Sequence, residues 1–417
     1  MSSETTRLWR DPRSLLGRFG LLLGAGLVAL VLGGVPWLGV WKMAIDWVAG
    51  AYVLIGPLSA GLVAWDMSRM RATRWDRVVC STPRGLRGWL EPALMVWVVG
   101  VAADLVLAVA VTIVTLSQGS VLAPRQLAIL ASGASVYLLQ VALGALIGTR
   151  LPGPWAPPIA ALVVLGLFVL GASSGLPEVF RTGGVTGTLV GQAYDLGTLA
   201  LYCAFAIPAA VLVGWATLRV VTQWRPPLVA GLLAVVALVG SGFVVWGNPE
   251  RYVYVPTALT CLGAEPTVCM AAETHRPLEA VAAELHRLAE PLVQAGATLP
   301  SRWTQSIGGQ ELPVDSGSLV FVNAGEGASD ADSQAVLVSL VNPGGCPELR
   351  AQVPPPHALQ VQRVLASWIE AQVGDRQPPP TSALGRWITT PAAEAWAVAS
   401  FERLRTCQFK GLSAPPV

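Results

Sequence analysis

Lysine is nearly absent from this 417-residue chain, occurring only at Lys42 and Lys410, neither of them in a glycine-rich loop. A phosphate-cradling loop of the form G-x-x-x-x-G-K-[ST] is therefore excluded, and the chain is not expected to hydrolyse ATP itself. Charge of either sign is scarce: 12% of residues are Asp, Glu, Lys or Arg, about half the share of a soluble domain. The net charge of +2 is too small to argue for a nucleic-acid partner. Histidine occurs only at His275, His286 and His357. No H-E-x-x-H is present, and His275 and His286 are too far apart to share one helix face over one or two turns. Neither a metal site nor a cofactor is expected.

Apolar sequence takes the place of charge, at 53% of the residues. Runs long enough to cross a bilayer are expected at residues 19–40, 44–67, 89–116, 127–148, 159–172, 198–220 and 228–246. Pro57 should kink the second of these. Residues 1–18 interleave Arg7, Arg10, Arg13 and Arg18 with Leu8, Trp9, Leu15 and Leu16, the pattern of an interfacial segment. The first apolar run has no small-x-small cleavage site after it and is read as a retained membrane helix.

The arginines fix an orientation. Residues 68–88, SRMRATRWDRVVCSTPRGLRG, carry Arg69, Arg71, Arg74, Arg77, Arg84 and Arg87 between two apolar runs. With seven spans, this loop, the N-terminus, Arg150, Arg219 and Arg225 fall on one side, and only Lys42, Arg125 and Arg181 on the other. The positive-inside rule then makes the N-terminus cytoplasmic. It also puts everything after residue 246 outside, in a multi-pass protein of the cell membrane bathed by lipid.

From residue 247 the composition becomes that of a soluble domain of mixed α and β structure, long enough for a core of its own. Strands are expected at 252–256, 267–271, 302–307 and 318–323, and helices at 277–295, 356–373 and 391–406. The chain thus divides into an interfacial segment (1–18), a six-helix membrane domain (19–222), a seventh span (228–246) and an extracytoplasmic α/β domain (247–417). The overall class is an α-helical polytopic membrane domain of about seven transmembrane helices followed by that α/β domain. Four of the six cysteines, Cys261, Cys269, Cys346 and Cys407, fall in the external domain. Cys261 and Cys269 flank a short turn and should pair, leaving Cys346 with Cys407, although four cysteines permit three pairings.

Acidic residues in or beside spans are Asp46, Asp66, Glu91 and Asp104. Such residues default to functional hypotheses because charge in hydrocarbon is costly. Asp46, Asp66 and Glu91 lie near span ends, where water or an arginine can satisfy them. Asp104 is deeper and is a candidate transport-path residue, or else a hydrogen-bonding group to a neighbouring helix.

The arrangement resembles the permease subunits of ABC-2 type transporters. The residues that carry the likeness are GPLSAGLVAWDMSRMRATRWDRVVCSTPRG, a charged stretch ending in S-T-P between the second and third spans, within the layout of residues 1–222. The resemblance implies an exporter without catalytic residues of its own, driven by a separate P-loop ATPase subunit that meets Arg69, Arg71, Arg74, Trp75, Asp76, Arg77, Arg84 and Arg87. Trp75, Asp76 and Arg77 are the strongest contact candidates. It also implies a second permease chain, as a homo- or heterodimer, and a gate at residues 173–197. The seventh span and the external domain are additions to the minimal family layout. Two other readings follow from the residues: a membrane-anchored sensor or binding protein acting through the external domain, and an envelope enzyme, for which Glu273, His275 and His286 are the only polar grouping.

Overall fold

The computed structural model describes residues 11–32, 40–73, 85–117, 120–151, 153–172, 178–184, 189–222, 228–247, 251–263, 265–272, 278–305, 307, 316–319, 330–342 and 355–415. Two compact units emerge: Met1–Thr186 with Ala193–Val253, and Gly187–Gln192 with Tyr254–Val417.

The first unit is helical. Its elements are α1 (Pro12–Leu32), α2 (Trp41–Gly50), α3 (Tyr52–Ala72), α4 (Gly85–Ser117), α5 (Ala128–Arg150), α6 (Ala156–Ala172), α7 (Leu196–Thr222) and α8 (Leu228–Trp246). Among the described residues, five stretches are long and apolar enough to cross a membrane by length and composition: α1, α2 with α3, α4, the stretch Pro124–Arg150 that includes α5, and α7. Among the described residues, the apolar stretches of α6 and α8 are shorter. Long apolar helices of this kind suggest a membrane-embedded protein, since only structures that satisfy their own backbone can span lipid.

Two helix boundaries fall at places the sequence does not mark. The first helix begins at Pro12, within the stretch assigned to an interfacial segment, and residues 1–10 lie outside the described residues. The second run is interrupted at Ala51, and α3 continues through Pro57. At this interruption a distant part of the chain packs on α2. The Gly184 N–H donates to the Asp46 carbonyl in the last turns of α2, at 3.2 Å. A Cβ on Gly50 would lie 2.9 Å from that Gly184 nitrogen, so the chain at Gly183–Gly184 packs directly on the α2 backbone there.

Helix α3 is the middle of the bundle, and small residues put it there. Ala60 and Ala64 face Gly144 and Gly148 of α5, two small-x-x-x-small pairs in register, while Gly61 faces Pro157 of α6. Lipid tails are as apolar as leucine, so helices in a membrane associate through close packing, which small residues permit. Ala60, Ala64, Ala156, Ala160 and Val164 make the resulting seam between α3 and α6.

One end of this bundle gathers basic groups. Arg18 of α1 pairs with Asp66 of α3 at 2.9 Å, and the Arg71 guanidinium donates to the Thr149 carbonyl at the end of α5. Arg69 lies over the Trp65 ring at 5.8 Å.

The second unit is mixed, as expected. Strands β3 (Leu259–Leu262), β4 (Thr267–Ala271), β5 (Arg302–Gln305) and β6 (Ser316–Leu319) form one sheet in that order, with β3 antiparallel to β4 and the rest parallel. The short ribbon of β1 (Gln192–Tyr194) and β2 (Tyr252–Tyr254) precedes it. Helices α9 (Leu278–Gln294), α10 (Asp330–Leu340), α11 (Pro356–Val373), α12 (Ala383–Ile388) and α13 (Pro391–Arg405) complete the unit. The apolar stripe of α9 (Val281, Leu285, Leu288 and Leu292) joins Val268, Trp303, Leu365, Trp368 and Phe401 in one core. Cys261 and Cys269 are direct cross-strand partners and form the expected disulfide. Cys407 is disulfide-bonded, and Cys346 lies outside the described residues.

The small-residue seam is open to a direct test. A Cβ at position 144 would lie 2.5 Å from the Ala60 carbonyl oxygen. Gly144→Leu should therefore lower the stability of the detergent-solubilised chain by about 1–3 kcal/mol or more, whereas Gly166→Leu, with nothing within 4 Å, should not; thermal unfolding of both compares them.

On the second unit, Arg287 donates to Glu284 at 2.6 Å and to Asp375 at 2.7 Å. Its guanidinium holds both carboxyls below their ordinary values. A carboxyl depressed in the fold stabilises above its unfolded value and stops doing so as pH falls through the folded one. The stability advantage of wild type over Arg287→Met should therefore be present at neutral pH and vanish below the carboxylate range. A pH series of unfolding midpoints that stays parallel for the two proteins would contradict this.

Candidate functional site: buried polar groups of the helix bundle

Most hydroxyls in the apolar helices are satisfied within their own helix. Thr112 donates to the Ala108 carbonyl at 2.6 Å, Thr115 to Val111 at 2.8 Å, Thr217 to Val213 at 2.9 Å and Ser241 to Ala237 at 2.5 Å. This is the ordinary way a short hydroxyl side chain is carried in a helix, and it calls for no function. The acidic residues are different, because each needs a partner from another element.

Asp66 has one. The ion pair with Arg18 joins α1 to α3, as expected for an acid near a span end. Asp46, on α2, accepts from the Tyr194 hydroxyl. Burial, with the Asp46 carboxylate beside it, holds the Tyr194 hydroxyl well above the ordinary tyrosine range, so it remains a donor. Around this pair the connection after α6 is tied down. Arg251, buried, donates to the carbonyls of Glu178, at 2.6 Å, and Arg181. Its guanidinium lies 5.6 Å from the Tyr202 ring centroid, and Tyr194 and Tyr252 pack ring to ring at 5.1 Å. Of the expected gate segment, residues 178–184 and 189–197 are described, and Glu178, Arg181 and Tyr194 are tied down in this way; 173–177 and 185–188 lie outside the described residues.

The third acid, Asp104 of α4, sits among aromatic and polar side chains from two further helices. It is 2% exposed. Tyr52, at the start of α3, stacks on Tyr137 of α5 with centroids 4.9 Å apart. The Tyr137 hydroxyl donates to the Val96 carbonyl at 3.1 Å and shares a 2.7 Å hydrogen bond with Ser59. The glycines make room: a Cβ on Gly100 would collide with the Tyr137 ring, and one on Gly133 would come within 3.0 Å of Tyr52. The Tyr52 hydroxyl faces the Asp104 carboxylate, yet neither Tyr52 Oη nor Asp104 Oδ1 closes a hydrogen bond. Gln140 Oε1, one turn on from Tyr137, is likewise buried without a partner.

Of the loop residues singled out from the sequence, Arg69 and Arg71 are described and help pin the end of α3. Arg74, Trp75, Asp76, Arg77 and Arg84 lie outside the described residues, and Arg87 is placed in α4 without a described side chain. In the second unit, Glu273 and His275 also lie outside. His286 is exposed, His357 contacts the Phe409 carbonyl at 3.3 Å, and no metal-holding group occurs among the described residues. Sequence reasoning missed Tyr52, Tyr137, Tyr194 and Arg251. An intramembrane glycine spaced against a tyrosine, as in Gly100 and Tyr137, is the only local signal. It also passed over Gly171-Ala-Ser-Ser-Gly175, which spells G-x-S-x-G. That motif needs a strand-to-helix turn, whereas here it begins in the last residues of an apolar helix.

No protein-family model, curated protein or solved structure matches this chain.

Removing the Arg251 guanidinium would strand two carbonyls in a buried setting. Arg251→Met should lower stability by about 2–4 kcal/mol, from the worth of hydrogen bonds to a charged donor. The same variant should also speed proteolysis at residues 173–188. Equal cleavage rates in variant and wild type would remove Arg251 from this role.

Proposed function

We propose that the chain is the membrane-spanning permease subunit of an ATP-driven exporter of the ABC-2 kind, powered by a separate ATPase subunit. The observation that supports it most directly is the gathering of Arg18, Arg69, Arg71 and the end of α5 at the end of α3 from which the basic loop departs. Basic residues at one end of a bundle are those retained in the cytoplasm, where an ATPase would be. Under this reading the membrane domain has seven spans, the N-terminus is cytoplasmic and the second unit is extracytoplasmic. The Cys261–Cys269 disulfide suits an oxidising compartment.

The mechanism follows from the packing. Nucleotide binding in the ATPase biases a helix arrangement only if it changes contacts at the loop. That loop continues α3, the helix in closest contact with α5 and α6. A push at residues 68–88 would therefore be delivered to the centre of the bundle. Two permease chains, identical or not, would move the substrate between them, and the anchored segment after α6 would border its outer exit.

The test is co-purification from detergent extracts of cells expressing the full chain, wild type or with Arg74→Glu and Arg77→Glu. A P-loop ATPase recovered with wild type and reduced at least tenfold with the double variant is the expected result. No ATPase with a folded wild-type chain would sink the permease reading and leave the sensor reading, centred on the second unit, in its place.

A further inference from the structure

Asp104 is buried in α4, and its Oδ1 closes no hydrogen bond. It lies about 20 Å along α4 from the nearer helix end, at about 1.5 Å per residue, so a move to the helix end cannot solvate it. An ionised carboxylate in such a place is costly unless it is paired, and a buried group without a partner neutralises instead.

The surrounding groups do not supply the missing charge. From α5, Tyr137 spends its proton on the Val96 carbonyl and Ser59 of α3 spends its own on Tyr137. The Trp97 indole, on α4 itself, donates to the Ala134 carbonyl at 3.0 Å. From α1, both basic groups, Arg13 and Arg18, lie in its first two turns, and Arg18 is held on Asp66. From α2, Asp46 is engaged with Tyr194. Lys42 stands beside Trp41, whose indole bonds Thr112, about 12 Å along α4 from Asp104. Only the neutral Tyr52 hydroxyl of α3 is left facing the carboxylate.

We propose that Asp104, with Tyr52 Oη as its hydrogen-bonding partner, is a proton-binding site in the interior of the helix bundle. The bound proton sits on a carboxylate oxygen of Asp104, and the neutral carboxyl and the Tyr52 hydroxyl share one hydrogen bond. Protonation makes and breaks only this O–H bond, with water as the proton donor and acceptor. The packing also makes the site sensitive to helix movement. Tyr52 is the first residue of α3, immediately after the Ala51 interruption, and Asp104 is on α4. A shift of α3 against α4 separates the two oxygens and changes the hold on the proton. The site stands whether or not the chain is a permease; on that reading it would couple proton uptake to the helix rearrangement.

The experiment is infrared spectroscopy of the full-length chain in lipid nanodiscs at neutral pH, in sodium and in choline buffers. Wild type should show a protonated-carboxyl C=O band. That band should be lost in Asp104→Asn, shifted in Tyr52→Phe and unchanged in Asp66→Asn. Asp104→Glu should move the band rather than erase it, which keeps the result interpretable if the Asn variant folds poorly. A spectrum in which Asp104→Asn removes no band overturns the proposal. So does a band present in choline and absent in sodium, which would mean that the carboxylate holds a metal cation. Neither result bears on ATPase co-purification, so failure here and failure of the permease reading are separately visible.

Discussion

The bundle depends on how closely α3 approaches its neighbours. In water, burying leucines would hold such helices together, but against lipid that gain disappears and contact distance decides. Ala60 and Ala64 against Gly144 and Gly148, and Gly61 against Pro157, allow backbone to lie on backbone. Every polar contact described between these helices is made at a position this packing sets. Tyr52 and Tyr137 stack because α3 and α5 run side by side in the same direction. Arg71, in the part of α3 that runs on past the end of α5, reaches the Thr149 carbonyl.

The helices are legible in the sequence, and the bundle is not. Apolar runs announce themselves because lipid demands about twenty consecutive residues of them, and α4, α5, α7 and α8 lie within a few residues of where the runs place them. In the second unit α9 shows in the spacing of Val281, Leu285, Leu288 and Leu292, and α11 starts at the Pro356 expected of it. The strand β3, the helix α10 and the short α12 are not legible in this way. Leu259–Leu262 gains its identity from pairing with β4, and α10 is a short helix whose Val336, Leu337 and Leu340 are buried in the shared core. The interruption at Ala51 is not legible either: it lies where Gly183 and Gly184, from far along the chain, pack on α2.

The same distinction separates the acids. Position along an apolar run orders them by depth, and that order alone sets Asp104 apart from Asp46, Asp66 and Glu91. Depth does not say what an acid does; its partners do. Asp66 meets a guanidinium, so its charge is neutralised by another residue and contributes to joining α1 and α3. Asp46 meets a tyrosine hydroxyl at the end of the bundle where Arg251 is also buried, so it belongs to an anchoring cluster. Asp104, in the middle of the bundle, has an Oδ1 that closes no hydrogen bond, with the neighbouring donors already committed to backbone carbonyls. Three carboxylates of identical chemistry thus have three different requirements. A guanidinium meets the first and a tyrosine near a buried arginine meets the second. The third needs a counter-charge that none of its described neighbours provides, and the smallest species able to supply it is a proton.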